Sequence, residues 1–188
     1  MSTGITFNGM GILNTKNYIT KTYGKETTER ILTSMSIEAQ GSVRFALGSA
    51  KYPVEHVSEF LGAIKKTIDP KDPDINFKIS NECAKATFSL LYRLYFKFGN
   101  PTKIIQKAAS VWNNLCNTGK LEVDVPSDNE VLITLKDFPY ADPEFCGQRL
   151  MGWYQAPLEL SGCKNVKGQH IACQSRGAPH CVWRYSWK

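Results

Sequence analysis

The hydrophobic period of this chain changes at Gly119. Before it, apolar residues recur every three or four positions: Val54, Val57, Phe60, Leu61, Ile64 and Ile68, then Ile104, Ile105, Ala108, Val111, Trp112 and Leu115. Such spacing lays one apolar stripe along a helix. After it, Leu121, Val123 and Val125, then Val131, Ile133 and Leu135, alternate with polar neighbours, the signature of a half-buried strand. Helices first and strands afterwards do not make the strand–helix alternation of a parallel sheet. The pattern predicts an α+β fold, with helices packed on one side of a small antiparallel sheet made of two hairpins, and a helix between the hairpins.

Local signals fill in the elements. Ile5 to Gly9 reads as a short strand closed by glycine. Residues 13–23 and 26–35 read as two helices separated at Gly24, with Asn14 or Thr15 near the first cap. Lys51-Tyr52-Pro53-Val54 reads as a helix start, because proline is tolerated in a first turn. Residues 69–74, with two prolines and three aspartates, read as a loop. Residues 80–98 form the most apolar helix, ended by Gly99, and Pro101 opens the next. Asp142 caps a helix over 143–160 with Pro143 at its first position. The domain plan is a single unit over 1–188: a helical part at 10–118, a hairpin at 120–136 turning at Ser127-Asp128-Asn129, a helix at 143–160 and a terminal hairpin at 164–187.

Composition limits the function classes. At 188 residues and 42% hydrophobic, the chain can bury a full core. No stretch approaches the ~20 apolar residues of a membrane span, and residues 1–11 lack the pattern of a secretory leader, so a cytoplasmic location is expected. The formal charge of +6 is spread over scattered lysines and arginines, without a nucleic-acid-binding motif, and reads as a solvated basic surface. The phosphate-loop, dinucleotide-binding and nucleophile-elbow frames are absent, and no acid pair stands out as an acid–base couple. The chain therefore reads as non-enzymatic.

The chemistry-bearing residues crowd the C-terminal part. Cys146, Cys163, His170, Cys173, His180 and Cys181 fall within residues 146–181, and Cys173 and Cys181 flank the final turn. In a chain without a leader, cysteines are thiols or metal ligands before they are disulfides. A helix start and two strand ends meeting at one corner would bring Cys146, His170, Cys173 and Cys181 together, with Cys163 in reserve. Zinc takes such a sulfur–nitrogen set tetrahedrally. The competing reading is that these cysteines are small buried hydrophobes. Cys83 and Cys116, on apolar helices, read as core, and His56 as structural.

The segment Phe145-Cys146, then Gly152, then the run from Cys173 to Trp183 resembles the C-terminal part of 4-vinyl-reductase-type domains. That resemblance implies a structural zinc on the cysteines, with His170 in the slot that a glutamate fills in the family. Gly9, Tyr18…Tyr23-Gly24, Lys51 to Val54, Asp137-Phe138-Pro139 and Leu160-Ser161-Gly162…Asn165-Val166 resemble an uncharacterised myxobacterial-type family, and more remotely haem nitric-oxide-binding domains and TRAPP trafficking subunits. The resemblance implies a pocket for a small apolar, aromatic or acyl ligand between the long helix and the sheet, lined by Phe88, Tyr92, Tyr95, Trp112, Phe138, Tyr140, Phe145, Trp153 and Tyr154. It also implies two other functions. One is a protein-partner or homodimer module using the terminal aromatics Tyr185 and Trp187. The other is a haem or gas sensor. The sequence argues against haem, since no histidine lies between His56 and His170 and Tyr185-Ser186 lacks a following arginine at the required spacing.

Overall fold

The structure is a computed structural model and describes residues 3–87 and 100–188. Strand β1 (Thr6–Asn8) runs antiparallel to β2 (Lys51–Pro53), with Phe7 opposite Tyr52. The sequence pattern assigns Lys51 to Pro53 to a helix start. Pairing with β1 instead holds them extended, and helix α3 (Val54–Ile68) begins directly after them, capped by Pro53. Its buried face is Val54, Val57, Phe60, Leu61, Ala63 and Ile64, which contains most of the expected stripe.

Helix α1 (Gly9–Thr33) starts earlier than expected. Asn8, not Asn14 or Thr15, caps it by accepting from the Met10 N–H at 2.8 Å. The predicted interruption is present: Gly24 sits at φ 89°, ψ 162°, far outside helical space, so two helical stretches meet there at an angle. Helix α2 (Ile37–Arg44) has no counterpart in the sequence reading. It is eight residues long and buries only Ala39 and Val43, too few for a readable period. Helix α4 (Ile75–Thr87) includes the first part of the predicted 80–98 helix; the rest of that helix, and Gly99, lie outside the described residues. Helices α5 (Pro101–Ser110) and α6 (Trp112–Leu115) complete the helical part.

Strands β3 (Lys120–Ser127), β4 (Glu130–Lys136), β5 (Lys167–Ala172) and β6 (Cys181–Ser186) form an antiparallel sheet in the order β3-β4-β6-β5. The two predicted hairpins thus fuse through their second strands. Val131 faces Tyr185, Ile133 faces Trp183 and Leu135 faces Cys181, and all six are fully buried on the inner face of the sheet. The expected 143–160 helix is two kinds of helix. Pro143–Arg149 is π-helical, and α7 (Leu150–Leu160) continues it. Asp142 is the cap as predicted, accepting from the Phe145 N–H at 2.7 Å.

Helix α7 lies hard against α4. A side chain on Gly152 would meet the Phe77 carbonyl oxygen and, at 2.9 Å, the Asn81 backbone nitrogen. Ser80 Oγ donates to the Arg149 carbonyl at 2.7 Å, and Asn81 Nδ2 to that of Gly152 at 3.3 Å. The site elements are therefore fixed to the helical part by backbone-level contact. Among the described residues, no helix is long and apolar enough to cross a membrane.

Candidate functional site

The sheet brings three of the four predicted residues, His170, Cys173 and Cys181, to one corner. Ligand atoms of His170, Cys173 and Cys181 all lie within 4.8 Å of one another, and the two sulfurs are 3.7 Å apart. Cys146, presented by the π-helical turn, lies outside this group of three, with its thiol toward the Tyr140 carbonyl at 4.0 Å, and interacts electrostatically with Cys181. Cys173 is also 3.0 Å from the Ser175 hydroxyl. Cys163 is not part of the corner: it lies just past α7, half-buried, 3.5 Å from Ser161 Oγ. His180 is likewise outside the group of three.

The corner sets its own electrostatics. The interaction with Cys146, with hydrogen bonds from His170, the Gln174 backbone and Cys173, holds the Cys181 thiol well below its usual range, against the opposing effect of burial. The same interaction, and burial, push Cys146 up. The His170 ring stacks on Trp183, its cross-strand neighbour, and the Trp183 Nε1–H donates to the Cys146 carbonyl at 3.0 Å.

The predicted pocket residues divide. Phe88, Tyr92 and Tyr95 lie outside the described residues. Trp112, Phe138, Tyr140 and Phe145 form one aromatic cluster, joined by Phe7, to which the sequence does not point. Centroids are 5.6 Å apart for Trp112–Phe138, 5.9 Å for Phe138–Phe145 and 5.4 Å for Phe7–Phe145. Tyr154 packs on Trp183 instead, with centroids 5.5 Å apart, and Trp153 is partly buried against the core. Tyr185 and Trp187, which the sequence offers as an exposed partner surface, are 0% and 7% exposed; they alternate inward along β6 and its extension and belong to the core.

Arg149 emerges only from the structure. It closes the π-helical turn, is 6% exposed, and projects between α1 and α4. Its Nη1 donates to Thr15 Oγ1 at 3.3 Å, its Cζ lies 5.4 Å from the centre of the Phe7 ring, and its Nη2 fills the space a side chain on Gly11 would take. Burial lowers its pKa to about 10, which leaves it charged at neutral pH. A lone arginine beside the apolar run of α7 is the only sequence signal for it.

No family model matches the sequence, and no curated protein matches it. Solved structures of H-NOX proteins do match in fold. An H-NOX protein from S. oneidensis in the Fe(II)NO state is 12% identical, with a TM-score of 0.67 over 96% of this chain and 99% of its own. A point mutant of the unliganded Fe(II) H-NOX protein from K. algicida is 10% identical, with a TM-score of 0.69 over 96% of each chain. A point mutant of the H-NOX domain from Shewanella oneidensis, in the Fe(II)CO state, is 12% identical, with a TM-score of 0.71 over 96% of this chain and 98% of its own. At these identities the likeness shows the fold. It bears out the remote resemblance to haem nitric-oxide-binding domains and gives no support to the 4-vinyl-reductase-type assignment. It also corrects the zinc expectation, because the group these structures are named for is haem iron, not zinc.

The residues present do not fit a histidine-ligated haem. The chain has three histidines. His56 on α3 is bonded to Ser42 Oγ at 2.8 Å, His170 is on β5 against Trp183, and His180 is in the turn before β6. None falls between 57 and 169, the stretch that holds α4, α5, α6 and α7. Cys83, buried on α4, has its thiol pushed up to about 11 by burial, so it is not a thiolate donor at neutral pH.

Proposed function

We propose that this chain is a non-catalytic ligand-sensing domain, holding a small apolar ligand between the helices and the sheet. The observation that carries the reading is the fold match over about 96% of the chain to proteins named for the ligation state of their iron. The aromatic set Trp112, Phe138, Tyr140, Phe145, Trp153 and Tyr154 would form the wall, and the Cys146, His170, Cys173 and Cys181 corner would fasten the sheet to the π-helical turn. The closeness of His170, Cys173 and Cys181, all within 4.8 Å of one another, supports that fastening role.

Native mass spectrometry and thermal-shift assays against aromatic and acyl compounds test the reading. A co-purified mass, or stabilisation by at least one compound class, is expected; a bare chain that no compound stabilises defeats it. A second reading, a haem-based gas sensor, is favoured by the names of the structural neighbours. Titration with hemin separates the two. The missing axial histidine predicts no saturable, sharp Soret band at one haem per chain, and appearance of such a band selects the haem sensor.

A further inference from the structure

The guanidinium of Arg149 is a buried charge without a counter-ion. Among the described residues, no carboxylate lies within ion-pair distance of it. Residues 1–2 and 88–99, the only others, contain no aspartate or glutamate. The chain therefore supplies no acidic partner from any position. A guanidinium has five N–H donors in a planar fork. Among the described residues, its side chain has one hydrogen bond, to Thr15 Oγ1 at 3.3 Å, and that hydroxyl is itself committed as a donor to the Gly11 carbonyl at 2.8 Å. The Phe7 ring 5.4 Å away attracts the charge but accepts no fork. Buried charges are ordinarily paired, because an unpaired one has lost its hydration with nothing to replace it.

The surroundings say what would complete it. The seam between α1 and α4 beside Arg149 is polar at its edge: Cys83 Sγ is 3.7 Å from the Asn14 carbonyl, and Asn14 Nδ2 donates to Thr87 Oγ1 at 2.8 Å. Away from that seam the neighbours are Phe7 and, edge-on to it, Phe145, so the site joins a fixed cation to an aromatic wall. We propose that Arg149 receives the carboxylate of an apolar organic acid, whose hydrocarbon or aryl body lies against the aromatic cluster. This rests on the ligand-sensing reading and gives its ligand a chemical class. A planar carboxylate matches the fork of the guanidinium in two parallel hydrogen bonds, which neutral apolar ligands cannot make.

The probes are matched pairs, octanoate with octanol and phenylacetate with phenylethanol, assayed by thermal shift and calorimetry on the full chain and on Arg149→Met. In the unsubstituted protein, one of the acids should bind about 10- to 100-fold more tightly than its alcohol, the range a charge-assisted hydrogen bond supplies. Arg149→Met should lose that preference. Its ligand-free melting temperature should equal or exceed the parent's, because replacing an unpaired buried charge by an apolar side chain of similar length removes a cost. An acid preference that survives in Arg149→Met, or a variant that melts lower without ligand, overturns the proposal. If Arg149→Met does not fold, the acid–alcohol comparison on the parent chain decides alone. Alcohols that bind as tightly as acids leave ligand sensing standing and refute the acid class; no binding by any probe, together with a bare mass, refutes both.

Discussion

The imidazole of His170 lies flat on the indole of Trp183, with centroids 5.1 Å apart and planes 13° from parallel. The indole also meets the Tyr154 ring, at 5.5 Å, and its N–H is committed to the Cys146 carbonyl at 3.0 Å. One side chain of β6 thus contacts β5, α7 and the π-helical turn together. Trp183→Phe leaves that buried carbonyl without its donor and a gap beside His170. A loss of about 2–4 kcal/mol in urea unfolding is expected, with Cys146 becoming open to alkylation under native conditions. Unchanged stability would mean the turn is held by something else.

The two coupled sulfurs give a pH signature. The interaction with Cys146 keeps Cys181 low, so its ionised form is favoured in the folded state. The stability this confers is fully present above the unfolded thiol value near 9 and is lost as pH falls through the lowered value. Cys146→Ala removes the leading cause. The ultraviolet thiolate absorbance of the folded protein should then titrate at higher pH than in the parent, and the acid-side stability loss should shrink. Identical titration curves would contradict the assignment.

Gly152 tests the contact that locks the site to the helices. In Gly152→Ala the new methyl meets the Phe77 carbonyl and the Asn81 backbone nitrogen, neither of which can move without shifting α4. Overpacking against backbone costs about 3 kcal/mol or more. Equilibrium denaturation measures it, and a loss under ~1 kcal/mol would mean that α4 and α7 slide freely.

Gly24 and Gly62 separate strain from space. Among the described residues, nothing beyond the adjoining backbone lies within 4 Å of where an alanine methyl would stand at either, but Gly24 sits at φ 89° and Gly62 lies inside α3. Gly24→Ala should cost about 1–3 kcal/mol from backbone strain alone. Gly62→Ala should gain about 0.5–1 kcal/mol by stiffening the unfolded chain and favouring helix. Melting temperatures moving in the same direction would refute the contrast.

What the sequence makes legible follows the range of each interaction. The α3 stripe, the β3–β4 hairpin and the Asp142 cap are written within a few residues and can be read directly. The Cys173–Cys181 approach needs only a turn between them. The β1–β2 pair is three residues a side and joins Phe7 to Tyr52, so neither strand has enough alternation to announce itself. Arg149 meets Thr15 across 134 positions, and nothing near either residue marks the contact. Tyr185 and Trp187 mislead because a terminal aromatic reads as surface until β6 is known to lie inside the sheet. Zinc follows from donor type, the expected corner and the 4-vinyl-reductase-type resemblance, and none of these distinguishes a metal centre from a thiol cluster.

The place of β6 also bears on the order of assembly. It is an inner strand contributed by residues 181–186, between β4 and β5, so the β3–β4 hairpin offers an unmatched row of amides and carbonyls until that segment arrives. Closing the sheet joins Val131 to Tyr185, residues far apart in the chain. Such distant pairing is slow, and a half-built sheet of this kind is the stage at which a neighbouring molecule can add its own strand.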